Sequence, residues 1–296
     1  MGEMAATAAA EQAAGPTPSP TPVTRRRRRV RVSTVVTWVA AVWITLVVLA
    51  ALVPSLIAPG DVTRLDPERV LQAPGVSSPL GTDQYGRGIL TMLVHGARTA
   101  VLIGLGATAV ALVFGTVIGL LAGYAGGWVD MVIGRLIDIL MSFPGVLMAL
   151  IIAAALGPTT KNLVLAVGIS AIPQFTRVMR SQTMTVRDRL YVEAARASGF
   201  STARIIGRHI LPNAIAPIMV LGTLTIGVAI VLAASLSFLG LGPLKEVPDW
   251  GQLLAQGQPY LNNAWWISTF SGLAVTITVI CISVLGDALS DKFEEG

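Results

Sequence analysis

Long apolar runs alternate with short polar connections along this chain, and the pattern is helical in scale. Residues 34–57, 99–122, 131–156, 162–181, 213–238 and 265–287 are each apolar enough to form a transmembrane span. A bilayer core of about 30 Å needs about 20 such residues at 1.5 Å each. The first, second, fifth and sixth runs are clear. The third contains Arg135, Asp138 and Pro144, and the fourth contains Pro173 and ends in Arg177 and Arg180. The expected fold class is an all-α membrane protein of six transmembrane helices, with both termini on one side.

The polar positions set the orientation. Only 12% of the 296 residues are charged and 53% are apolar, against about 25% charged in a soluble domain. Residues 1–24 are rich in Ala, Thr and Pro without apolar periodicity, a composition expected to stay disordered. Six Arg in seven residues follow, "RRRRRVR", directly before the first run. The two together resemble a signal peptide, but the run is too long for one and lacks a small-x-small cleavage site, so it is read as a retained helix. A second Arg group lies between the fourth and fifth runs: Arg177, Arg180, Arg187, Arg189, Arg196, Arg204 and Arg208. With six spans, both groups share a side, which is the cytoplasm by the positive-inside rule. On the other side Arg64, Arg69, Arg87, Arg98, Lys161 and Lys245 are spread thinly among acids. The net charge of +5 is therefore a membrane-topology signal and does not point to nucleic acid. Cys281 is the only cysteine, so no intrachain disulfide can form.

Three features inside the runs are read from spacing. Ala107, Ala111, Gly115, Gly119 and Gly123 recur every four residues, a ladder that lets another helix backbone approach closely. Arg135 and Asp138 stand three apart and can pair on one helix face. Tyr260, Trp265 and Trp266 form an interfacial anchor where the sixth span begins.

The loop at about 182–212 holds the densest internal charge. Thr185 and Asp188 have the spacing of a capping box, predicting a helix over about 186–198 that ends at Gly199 in a left-handed conformation. Ser201 is placed to cap a second helix to about 210, with Phe200 and Ile205 at the spacing of a hydrophobic staple. Leu211 precedes Pro212 and is biased away from helix, while Pro212 suits the first turn of the fifth span. Ala194, Ala195, Ser198 and Gly199 give the first helix a nearly flat side, edged by Glu193 and Arg196, which can pair. Such a loop suits docking to a protein or lying on anionic lipid. The small size of its apolar side chains favours a protein.

"EAARASGFSTARIIGRHILP" resembles the EAA motif of ABC importer permeases, carried by Glu193, Ala194, Ala195, Gly199, Leu211 and Pro212, with His209 at a position where Ile is usual. "RHILPN" is common in the peptide branch. "SSPLGTDQYGRGILTMLVHGAR" (77–98) resembles the stretch before the second span in dipeptide, oligopeptide and nickel permeases, with Gly88 replacing the usual Asp. "AGGWVDMVIGRLIDILMSFPG" and "SLSFLGLGPLKEVPDWGQLL" are similar to the same family. The likeness covers about 30–296.

It implies a type I importer permease bundle with a core at 97–287, an extra first helix and outer loop at 33–96, and cytoplasmic tails at 1–32 and 288–296. It further implies that Glu193, Ala194, Ala195, Arg196, Ser198 and Gly199 contact an ATPase. The implied partners are a similar permease, two ATPase subunits carrying ATP and Mg, an extracytoplasmic solute-binding protein and membrane lipid. No cofactor is implied for this chain itself. The implied cargo is a di- or oligopeptide, with nickel chelates, glutathione or another small solute as the alternative.

Two other classes fit poorly. The chain has no phosphate-binding loop of its own and none of the motifs of an intramembrane protease. His95 and His209 are the only histidines and fall on opposite sides of the membrane. An ion-coupled secondary transporter needs intramembrane acids near the midplane, and Asp138, the lone candidate, has Arg135 beside it.

Overall fold

The computed structural model describes residues 34–60, 62–244 and 247–295, the last four of these by backbone alone. The expectations for the tail at 1–32 and for Lys245 lie outside the described residues. Helices dominate: α1 (Thr34–Leu52), α2 (Ile89–Ala125), α3 (Gly127–Ser142), α4 (Gly145–Leu156), α5 (Thr160–Arg187), α6 (Leu190–Ala197), α7 (Thr202–Ile205), α8 (Leu211–Ala214), α9 (Ala216–Leu236), α10 (Trp250–Gly257) and α11 (Trp266–Glu295). A π turn at Ile206–Ile210 joins α7 to α8, and another at Ser237–Leu241 follows α9. The residues expected as a short tail from 288 continue α11 as helix to Glu295.

Among the described residues five helices, α1, α2, α5, α9 and α11, are long and apolar enough to cross a membrane unaided. The third expected span is not one straight helix. It is the pair α3 and α4, bent by 90° at Phe143–Pro144. Pro144 fixes its own φ, denies the helix an N–H and disfavours helical geometry at the preceding residue. Phe143 accordingly takes extended backbone at φ −90°, ψ 137°. Counted as one span, the pair completes six.

The small-residue ladder of α2 lies against α5. Ala107, Ala111, Gly115, Gly119 and Gly123 are all buried. A Cβ placed on Gly119 would sit 2.6 Å from the Thr176 carbonyl oxygen, and one on Gly123 would sit 2.7 Å from that of Arg180. On Gly115 it would overlap Phe175 Cβ. The two backbones touch along this seam, with dispersion contacts as the gain.

A second core joins α1, α2, α10 and α11 around Trp250 and Trp266. Both indoles are buried and donate to backbone carbonyls, Trp250 Nε1 to Leu93 O at 2.8 Å and Trp266 Nε1 to Thr82 O at 3.0 Å, as buried indoles require. The α1–α2 loop is tied down at Asp83, whose buried carboxylate accepts from the Tyr85 and Arg87 amides at 2.9 and 2.8 Å and pairs with the Arg87 guanidinium at 2.7 Å. Gly88 is the N-cap of α2 and offers no side-chain cap. An acid there would supply one.

Candidate functional site

The segment 188–215 forms a compact bracket at one end of the bundle. α5 runs on to Arg187, two residues beyond Thr185, so the expected capping box does not form. Thr185 Oγ1 donates back to Ser181 O at 3.1 Å, and Asp188 is the C-cap of α5. The chain breaks at Asp188–Arg189, and α6 occupies 190–197 rather than about 186–198. At its end the Phe200 amide donates to Ala195 O at 3.1 Å and the Gly199 amide to Arg196 O at 2.9 Å. These are the paired bonds of a Schellman motif, and they hold Gly199 at φ +74°, the left-handed conformation that its position predicts.

Ser201 is the N-cap of α7, but its side chain accepts no capping bond. Phe200 is partly exposed, stacks on His209 at 6.0 Å and lies under the Arg204 guanidinium at 5.4 Å. Leu211 is helical, φ −56° and ψ −47°, against expectation. The π turn at 206–210 ends two residues before Pro212. Its wider hydrogen-bond spacing is one of the adjustments that let a helix carry a proline. The chain therefore passes from α7 into α9 with right-handed helical geometry at Ile210, Leu211 and Ile215.

α6 has two faces. Val192 and Ala195 are buried in a core shared with Val186 and Met179 of α5, Ile205, Ile210, Ala214 and Ile218. Ala195 thus faces its own bundle, not outward as its place beside Ala194 and Ser198 suggests. The outer face carries Leu190, 83% exposed, with Tyr191, Glu193, Ala194, Ala197 and Ser198. Glu193 and Arg196 form no ion pair. Arg196 instead lies 5.5 Å from the Tyr124 ring near the end of α2, a geometry that favours a cation.

Charges beside the bracket fasten α2, α3 and α5 together. Arg187 Nη1 donates to the Gly123 and Tyr124 carbonyls at 2.9 and 3.3 Å, supplying cationic donors where the last carbonyls of a helix lack them. Arg180 grips Asp130 with two parallel bonds, Nε to Oδ1 and Nη2 to Oδ2, the latter at 2.7 Å. Asp138 pairs with Arg177 of α5 at 2.7 Å, not with Arg135 on its own helix. The sequence shows which residues can pair along one helix. Which helix lies alongside is tertiary information, so these cross-helix partners were missed.

The Asp130–Arg180 fork yields a prediction. Arg180→Gln removes the forked partner of a carboxylate whose side chain is 17% exposed, at a cost of about 1–3 kcal/mol. Adding Asp130→Asn should recover most of the loss, because it removes the charge left without its partner. Thermal unfolding of the detergent-solubilised protein, followed by size-exclusion chromatography, reads both. A double variant as unstable as the single one would show that the pair is not the cause.

A second feature was not legible in the sequence. A cavity of about 420 Å³ lies between α2, α4, α5 and α9, with Ser170, Gln174, Thr225 and Ser235 set among apolar side chains and no charged residue lining it.

The fold is that of an ABC importer membrane subunit. A chain of the MetNI methionine ABC transporter, solved in inward-facing conformations, superposes with a TM-score of 0.56 at 17% identity, covering 68% of this chain and 95% of that one. The family described as binding-protein-dependent transport system inner membrane component matches residues 115–296, and the chain belongs to it. The dipeptide transport system permease protein DppC of Alkalihalophilus pseudofirmus is 40% identical over 86% of this chain and 84% of its own length. The di/tripeptide transport system permease protein DppC of Pseudomonas aeruginosa is 38% identical over 84% of each. The protein is thus a multi-pass permease subunit of a binding-protein-dependent importer.

Proposed function

We propose that this permease imports peptides and that α6 is its contact with an ATPase subunit. The two-sided build of α6 carries the reading. Its inner face belongs to the core that links α5 to α9, so a push on the outer face moves membrane helices rather than a loose loop. Glu193, Ala194, Arg196, Ser198 and Gly199 lie on or beside that outer face. Ala195 supports it from within. ATP and Mg belong to two such ATPase subunits, and closure of the ATPases drives the bundle between its open states.

A second, similar permease completes the pathway. The cavity bearing Ser170, Gln174, Thr225 and Ser235 is this chain's share of the wall, and it offers hydrogen bonds but no fixed charge. The Arg-rich bracket and both termini are cytoplasmic by the charge rule. The loop before α2 faces outward, where a solute-binding protein docks. Peptide as the cargo rests on the names of the two relatives. The test is the complete importer reconstituted in vesicles with its binding protein and supplied with labelled dipeptide, glutathione or a nickel chelate. Dipeptide uptake that requires ATP and raises the ATPase rate is expected. Uptake of glutathione or nickel chelate without dipeptide would replace peptide as the cargo.

A further inference from the structure

Between α1, α2 and α11 lies a cavity of about 410 Å³ that plays no part in the coupling bracket or the uncharged pathway cavity. Its walls are apolar throughout, with Trp43, Val47, Leu93, Trp250, Phe270 and Ala274 among them. It sits at the last turns of α1 and the first turns of α2 and α11, and runs from Phe270 to Ile277, about 10 Å along α11. Leu46, Leu273 and Ile277 at its rim are exposed, so it opens sideways between helices. A second pocket of about 430 Å³ adjoins it, and Leu80 and Leu90 line both.

This second pocket is polar and carries Arg64, Asp66, Arg69, Ser77, Ser78 and Arg87. Arg87 is committed to Asp83. Arg69 donates from Nη2 to Ser77 O at 3.0 Å and to Ser78 Oγ, which leaves Nε and Nη1 without a protein acceptor among the described residues. Arg64 is exposed and makes no ion pair or hydrogen bond among them. Among the described lining residues, two guanidiniums therefore stand against one carboxylate, Asp66, at the mouth of a greasy slot. Trp265, half-exposed at the same end of the bundle, marks the depth at which aromatic residues meet lipid headgroups.

We propose that this chain holds an anionic phospholipid, with its phosphate at Arg64 and Arg69 and one acyl chain in the cavity between α1, α2 and α11. A water-soluble partner has no access to a slot that opens sideways along membrane-length helices. A lipid tail does, and the adjoining arginines select its headgroup. The site lies in the leaflet on the side of the α1–α2 loop.

Bromine-labelled acyl chains quench tryptophan on contact, and Trp43 and Trp250 line the slot. The complete importer is placed in bilayer nanodiscs of unlabelled phosphatidylcholine with rising fractions of brominated phosphatidylglycerol or brominated phosphatidylcholine. A Trp43→Phe copy isolates the signal of the cavity. Phosphatidylglycerol should reach half-saturation at the lower fraction, by about fivefold per arginine, since each basic residue near a surface contributes about 1 kcal/mol. Arg64→Gln, which removes no contact within the protein, should erase about fivefold of that preference. Ala274→Phe should abolish the Trp43-dependent quenching by both lipids. Glycerol phosphate should displace nothing, because the tail is part of the ligand. Equal quenching by the two lipids, unchanged by Arg64→Gln, would overturn the proposal in favour of ordinary surrounding lipid. Absence of Trp43-dependent quenching by either lipid would also overturn it, by showing that the partner permease fills the slot.

Discussion

Gly119→Val is expected to remove most folded protein from the membrane. The added side chain meets backbone, since even its Cβ would lie 2.6 Å from Thr176 O and 2.9 Å from the Arg180 amide nitrogen. Neither atom can turn aside as a flexible side chain would, so α2 and α5 must separate along the seam from Gly115 to Gly123. Overpacking costs about 1–3 kcal/mol where neighbours can adjust. A backbone-to-backbone clash belongs at or beyond the top of that range. Gly119→Ala should already show the loss, and Gly222→Ala on α9 is its matched control, because its Cβ would meet Leu112 Cδ1 at 3.4 Å and Thr108 Cγ2 at 3.9 Å, distances of ordinary contact. Monodisperse yield by size-exclusion chromatography distinguishes the two. Equal yields would mean that the seam is looser than its geometry implies.

Gly199→Val should abolish most transport while leaving the bundle intact. The strain is in the backbone alone: φ is +74° and nothing in this chain lies within 4 Å of a Cβ placed there. Left-handed geometry costs an L-residue roughly 1–2 kcal/mol, and β-branched side chains tolerate it worst. A strain of about 1.4 kcal/mol corresponds to about a tenfold shift in an equilibrium, enough to depopulate the Schellman turn that sets the angle between α6 and α7. Substrate-stimulated ATP hydrolysis and uptake should fall about tenfold, with insertion and subunit co-purification unchanged. Gly199→Asn should retain most activity, because Asn visits this conformation readily. Wild-type uptake in Gly199→Val would remove α6 from the coupling path. Lost co-purification would show that the turn serves assembly instead.

Much of the architecture was legible along the chain because membrane helices announce themselves locally. About 20 apolar residues must satisfy their own backbone hydrogen bonds in lipid, so the runs at 34–57, 99–122, 213–238 and 265–287 marked α1, α2, α9 and α11 without any knowledge of neighbours. Boundaries were poorer where helices extend past the bilayer. α2 begins ten residues before its expected start, since hydropathy marks the lipid-facing part and not the protruding turns. Pro144 was visible, but not the angle it produces, which depends on what α3 and α4 pack against.

The bracket at 188–215 divides in the same way. Gly199 at a helix end is a local matter, because only the absence of a Cβ makes its φ favourable, and the sequence alone determined it. The four-residue ladder on α2 was equally plain, as was the Arg asymmetry. What the ladder touches, which face of α6 turns inward, and that Asp138 and Asp130 bind arginines of α5 were decided only by the tertiary structure. Each joins residues far apart in the chain: Arg180 meets Asp130 across fifty positions and Arg177 meets Asp138 across thirty-nine. Spacing along one helix says which side chains share a face. It carries no information about which other helix that face will meet, and the ion pairs, the seam and both membrane cavities depend on that meeting.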